Sequence, residues 1–87
     1  MTSRELHRKC SIIIAKGVLI TDAICRTVPQ GPLYHLCEDF FELDIPGALN
    51  RLLSIAHYAE ERIPEDQELR DQLCMIVELT IEAGELA

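Results

Sequence analysis

The chain has 87 residues, of which 48% are hydrophobic and 26% are charged. The length predicts one domain over residues 1–87, and the composition is that of a globular chain, which excludes an intrinsically disordered one. The net charge of −7 argues against direct binding to DNA or RNA, because an acidic body repels phosphates.

The charges are distributed unevenly along the chain. Most basic residues lie within residues 1–26, and most carboxylates follow them. The basic residues are too widely spaced to form a stripe that tracks a phosphate backbone. The acidic remainder is instead expected to attract a basic protein partner.

The cysteines and the first apolar run indicate a cytoplasmic protein. The four cysteines are Cys10, Cys25, Cys37 and Cys74. No two are spaced as a CxxC pair, so reduced thiols are the simplest interpretation. The first apolar run contains Lys16 and Asp22, which argues against a secretory signal, and it is too short to span a membrane.

The first predicted helix covers residues 3–27. Thr2 and Glu5 have the spacing of a capping box at its start, and apolar residues then recur at steps of three and four. An alternative is a short hairpin within residues 11–20 that turns at Lys16-Gly17, because the segment is rich in β-branched residues. The helix is preferred, since no strand elsewhere completes a sheet.

The second predicted helix covers residues 33–43 and follows a break made by Pro29, Gly31 and Pro32. Its helical spacing separates an apolar arc from a polar arc, as is typical of a surface helix. The apolar arc comprises Leu33, Leu36, Phe40 and Leu43, with Cys37 and Phe41 at its edge. The polar arc comprises His35, Glu38, Asp39 and Glu42.

Two further helices are predicted over residues 46–63 and 65–83. Asp44 is placed to cap the first of them, and Pro64 separates the two. The predicted core residues are Leu49, Leu52, Leu53, Ala56, Ala59 and Ile63 in the third helix and Leu69, Leu73, Ile76, Val77 and Thr80 in the fourth. The expected fold is therefore all-α, a small antiparallel bundle of about four helices.

The polar arc of the second helix offers an alternative function as a metal site. His35, Asp39 and Glu42 are spaced within one face, and His57 on the third helix could join them. A solvated acidic face is the preferred interpretation, because no second element carries a matching ligand motif. The predicted protein therefore has no metal and no cofactor.

Catalysis is not expected from this sequence. No cysteine or histidine sits in a recognisable nucleophile signature, and no glycine-rich phosphate loop is present. The carboxylate pairs resemble solvated helix ends rather than buried groups with shifted pKa values. Whether any cysteine is reactive stays open at this point.

Helices one and four carry more apolar surface than a small monomeric bundle buries. The predicted protein interface consists of Ile12, Leu19, Ala23, Met75, Leu79 and Ile81. A homodimer is the favoured use of this surface. The alternative is that helix one is central and that the other three helices cover the surplus.

The sequence therefore predicts a small cytoplasmic, non-enzymatic protein–protein interaction module. A regulator, an adaptor or a secretion-type chaperone fits this description, and a homodimer with an acidic face for a basic partner is expected. A structural subunit of a hetero-complex is the remaining alternative. Neither a membrane nor a nucleic acid is an expected partner.

Overall fold

A computed structural model describes residues 2–86 and contains four α-helices and one 3₁₀ turn. The elements are α1 (Ser3–Thr27), α2 (Pro32–Cys37), the 3₁₀ turn (Phe40–Glu42), α3 (Ile45–Glu61) and α4 (Gln67–Gly84). The predicted all-α bundle is confirmed. Residues 11–20 lie inside α1, so the alternative of a hairpin there is wrong.

Two of the three long helices begin at the caps that the sequence predicts. The Thr2 hydroxyl accepts a hydrogen bond from the Glu5 amide at 3.2 Å and opens α1. The Asp44 carboxylate accepts one from the Gly47 amide at 2.8 Å and opens α3. Such bonds satisfy amides that have no partner within the helix. Asp66 caps α4 in the same way, so that this helix begins at Gln67 and not at residue 65.

The predicted second helix is divided into two segments, which corrects the expectation of one helix over residues 33–43. Gly31 has a φ of 101°, in the left-handed region that glycine tolerates. The chain changes direction at this residue, and α2 begins at the next one. The Arg51 side chain donates a hydrogen bond to the Leu36 carbonyl at 2.9 Å and also binds the Asp39 carboxylate. These contacts hold the chain where α2 ends.

Phe40 supplies the second reason for the break. Its ring is only 1% exposed and packs against Gly17 in the middle of α1. A Cβ atom at Gly17 would lie 2.9 Å from the Phe40 Cζ, so the glycine makes room for the ring. Burying this ring stabilises the 3₁₀ turn against the body of the protein.

The core lies where α4 packs between α1 and α3, with α2 and the 3₁₀ turn closing one side. Its fully buried large side chains are Phe40, Ile13, Ile24, Leu52, Ile55 and Ile76. The predicted core positions Leu53 and Ile63 are exposed, which corrects their assignment. Among residues 2–86, no helix combines the length and the hydrophobicity that crossing a membrane requires.

Candidate protein interface

The α1–α4 face is the outer surface along which α1 and α4 lie side by side. Three adjoining grooves along it bring together Ile12 with Glu85, Leu19 with Met75, and Ala23 with Glu68. Residue numbers rise along α1 while they fall along α4, so the two helices run antiparallel. Residues distant in sequence therefore form one continuous surface.

Apolar side chains occupy the middle of the α1–α4 face. Leu19 is 72% exposed, and Ile12 and Met75 are also exposed. Leu19 and Met75 line a groove with a volume of about 320 Å³, and Leu79 lies at its floor. The other three helices do not cover Leu19, so the alternative that they hide the surplus apolar surface of helix one is wrong for this side chain.

Charged side chains form two rows of opposite sign on the α1–α4 face. The basic row of α1 consists of Lys9, Lys16 and Arg26. The acidic row consists of Glu68, Glu78 and Glu82 of α4 and of Glu85, which directly follows this helix. Within residues 2–86, the one ion pair made by either row joins Arg26 to Asp22 on α1 itself, at 2.9 Å. Apart from Arg26, the side chains of both rows are therefore open to charges from outside the chain.

The six residues predicted for the interface do not all lie together. Ile12, Leu19, Ala23 and Met75 line the α1–α4 face. Leu79 is only 5% exposed and belongs to the core, which corrects its assignment as a contact residue.

Ile81 is exposed but points to another side of α4. It follows Met75 by six residues, and at 100° per residue this places the two side chains about 120° apart around the helix. The sequence pattern identified both flanks of α4 as apolar. It did not show which of them would adjoin α1.

Another groove, with a volume of about 450 Å³, lies outside the α1–α4 face, between α1 and α2. Leu19, Tyr34 and Phe41 line it, and the carboxylates of Asp22 and Glu38 lie at its edge. Phe41 is 69% exposed. Its helical spacing had predicted a position at the edge of the buried arc of the second helix. The signal for its exposure was the pair of adjacent aromatic residues, because one short turn buries only one of the two.

The residues of the metal alternative do not form a site. The Asp39 carboxylate is bound by Arg51. The Nδ1 atom of His35 lies 3.3 Å from the Glu38 Oε1, and that of His57 lies 3.8 Å from the Glu60 Oε2. Both histidines are largely exposed. No group of three or more His, Cys, Asp or Glu side chains within residues 2–86 is arranged to hold a metal ion, so the proposed set of His35, Asp39, Glu42 and His57 is wrong.

The cysteines are free thiols in different surroundings. Burial raises the pKa of the Cys37 thiol to about 12. Burial also raises the pKa of the Cys25 thiol, and the nearby Asp22 and Glu38 carboxylates add to this effect. Because the thiolate is the reactive form, a raised pKa lowers the reactivity of both thiols at neutral pH.

Comparison with protein-family models, with curated proteins and with solved structures found no match to this chain. The charges, exposure and packing of the chain's own residues therefore provide the basis for assigning a function. The most distinctive of these features is the α1–α4 face, where the exposed Leu19 lies beside charged side chains of both signs.

Proposed function

We propose that this protein is a non-enzymatic protein–protein interaction module of the cytoplasm and that it binds its partners through the α1–α4 face. The observation that carries the proposal is the exposure of Leu19, which lies between two apolar grooves and which no other helix covers. A large apolar side chain of this kind, with grooves on both sides, is typical of an interface.

The energetics of burial favour this use of Leu19. Covering a fully exposed leucine side chain contributes about 1.5–3 kcal/mol. The neighbouring Ile12 and Met75 are also exposed and add to the apolar area that a partner removes from water. Aliphatic anchors surrounded by charges fit the arrangement of an apolar centre with a polar rim.

The carboxylates of the second half of the chain support a basic partner. Glu68, Glu78 and Glu82 lie on the α1–α4 face, are exposed and form no ion pair within residues 2–86. Unpaired surface charge of one sign raises the association rate with a partner of the other sign. A regulator, an adaptor or a secretion-type chaperone would act in this way.

Quantitative affinity capture from cells of the source organism tests the proposal. The baits are the wild type, Leu19→Asp and a matched control, Leu53→Asp, which alters an exposed leucine on α3 away from the α1–α4 face. We expect at least one other protein to be enriched by the wild type and by the control. Leu19→Asp is expected to lose it, because a buried, unpaired carboxylate opposes binding.

Circular dichroism of the three purified baits shows whether each remains helical. Equal capture by all three folded baits would remove the α1–α4 face from the proposal. A wild-type bait that enriches no other protein would contradict the assignment as a module that binds partner proteins.

A further inference from the structure

We infer that one partner of the α1–α4 face is a second copy of the chain, related by a two-fold axis that runs parallel to α1 and α4. This inference rests on the proposed function and specifies one partner and its orientation. The two rows of opposite charge on this face support it. A symmetric dimer must bring the same face of each copy together, so the charges on that face decide which orientation is favourable.

Two orientations place one α1–α4 face on another with the helices aligned. With the two-fold axis parallel to the helices, α1 of each copy lies on α4 of the other. With the axis perpendicular to the helices but within the interface, α1 lies on the partner's α1, and α4 lies on the partner's α4. The first orientation brings rows of opposite sign together, whereas the second brings rows of like sign together.

The level of each charged residue along its helix determines which residue of the partner subunit it faces in the parallel orientation. Lys16 lines the same groove as Glu78 and Glu82, so these residues lie at one level along the bundle. A two-fold axis parallel to the helices preserves that level. Lys16 therefore faces Glu78 and Glu82 of the partner subunit, and the reverse pairs form by symmetry. At the end of the face, Lys9 meets Glu85 of the partner subunit in the same way.

The perpendicular orientation produces repulsion instead. It reverses the direction of each helix, so that Lys9 of one copy approaches Arg26 of the partner subunit. Glu68 likewise approaches Glu85 of the partner subunit. Like charges placed opposite each other across an interface disfavour that arrangement, so the two orientations are distinguished by charge alone.

The apolar residues fit the same parallel orientation. Leu19 lies at the level of Met75 and therefore packs on Met75 of the partner subunit. Ile12 and Leu19 are seven residues apart, as are Lys16 and Ala23. This spacing returns side chains to one stripe of a helix and is characteristic of helices that pack along their length. The dimer would join the α1 and α4 helices of two copies in a four-helix layer.

Native mass spectrometry and sedimentation velocity on the reduced protein test this inference. We expect the wild type to be a dimer. In the Lys16→Glu dimer, the introduced glutamate of each copy faces Glu82 of the partner subunit, so both symmetric pairs consist of two glutamates. In the Glu82→Lys dimer, both pairs consist of two lysines. Each variant alone is expected to dissociate at least about tenfold more readily than the wild type, because attraction becomes repulsion twice in each dimer.

An equimolar mixture of Lys16→Glu and Glu82→Lys gives the most specific result. In the mixed dimer, the two introduced charges, a glutamate on the first variant and a lysine on the second, face each other. The unchanged Lys16 of the second variant likewise faces the unchanged Glu82 of the first. Both pairs are attractive again, so the mixture is expected to form a heterodimer that neither variant forms with itself. Raising the salt concentration should reduce the difference in dimer stability between each single variant and the mixture, since these charges are at the surface.

Arg62→Glu and Glu61→Lys are the matched controls, because they make the same kinds of charge reversal at exposed positions outside the α1–α4 face. Both are expected to remain dimers. A wild type that is monomeric at about 100 µM, where a dimer with a micromolar Kd would form, overturns the inference. A wild-type dimer whose variants weaken without recovering as a mixture overturns the parallel orientation.

The outcome separates this inference from the proposed function. A monomeric wild type that still captures another protein through Leu19 would leave the interaction module intact and remove the second copy as its partner. A dimer that behaves as described, but enriches no other protein, would support the self-association and contradict the module.

Discussion

The antiparallel pair of α1 and α4 and the segment that contains α2 and the 3₁₀ turn are held in shape by different kinds of contact. Contacts local in sequence define the first, and contacts from other helices define the second. The α1–α4 pair consists of helices of 25 and 18 residues, whose boundaries follow from caps close in sequence. The segment from Pro32 to Glu42 contains a helix of only 6 residues and a turn of 3. Its shape depends on Arg51 and on Gly17, which lie in other helices.

This difference shows that the two regions rely on different interactions. Long helices obtain much of their stability from repeated backbone bonds and from an apolar stripe, so single changes are shared over several turns. A short segment has few such bonds and is held by a small number of tertiary contacts. Single substitutions in the contacts of the short segment are therefore expected to have large and selective effects.

The largest expected effect comes from the two adjacent phenylalanines. Phe40→Ala should reduce the free energy of unfolding by about 3–5 kcal/mol, because the buried ring leaves a cavity against α1. Phe41→Ala should change it by less than about 1 kcal/mol, because that ring is largely exposed. Urea unfolding followed by circular dichroism, at one protein concentration, measures both.

Equal decreases in the free energy of unfolding of the two phenylalanine variants would contradict the assignment of Phe40 to the core and Phe41 to the surface. A loss larger for Phe41→Ala would reverse that assignment. Phe41→Ala should also leave the proposed dimer intact, since Phe41 lines the groove between α1 and α2 and not the α1–α4 face.

An intermediate effect is expected at Arg51. Arg51→Met keeps most of the aliphatic stem but removes the hydrogen bond to the Leu36 carbonyl and the ion pair with Asp39. Losing the bond to the carbonyl should lower the free energy of unfolding by about 1–2 kcal/mol. Arg62→Met is the control, because this side chain lies over an exposed face of Tyr58, and it should cost less than about 1 kcal/mol.

Hydrogen exchange of the α2 amides gives a second measurement of the Arg51 contact. Exchange should be faster in Arg51→Met than in the wild type at α2, with α4 changed less. Uniform acceleration in both helices would mean that Arg51 supports the whole bundle and not the short segment in particular.

The smallest expected effect is the pH dependence that Asp39 introduces. The hydrogen bond from Arg51, and the charge of that guanidinium, hold the pKa of the Asp39 carboxyl below its ordinary value of 3.8. The folded state therefore binds this proton less tightly than the unfolded state. The stabilisation is complete above the unfolded pKa, and it is lost as the pH falls through the lower folded pKa.

Asp39→Asn removes this contribution and isolates it. The variant should be less stable than the wild type at pH 7, and the difference should shrink as the pH is lowered from about 5 to about 3. Urea midpoints for both proteins at several pH values provide the comparison. A difference that is constant over this range would show that the Asp39 charge does not contribute through Arg51.

Much of the fold could be predicted from local signals. Thr2 with Glu5, Asp44 and Pro64 mark helix boundaries because capping bonds and proline geometry act within a few residues. The candidate face was predicted less completely. Leu19 and Met75 were identified from their helical spacing, but Leu79, from the same apolar flank, is in the core.

The sequence alone determined an all-α chain, with a basic first helix, acidic later helices and apolar residues on more than one side of α1 and α4. The tertiary structure decided where α2 ends, which of Phe40 and Phe41 is buried, and how the two charged rows align across antiparallel helices. The physical reason is distance along the chain. Caps and periodicity act over a few residues, whereas burial and charge alignment depend on side chains brought together from remote helices.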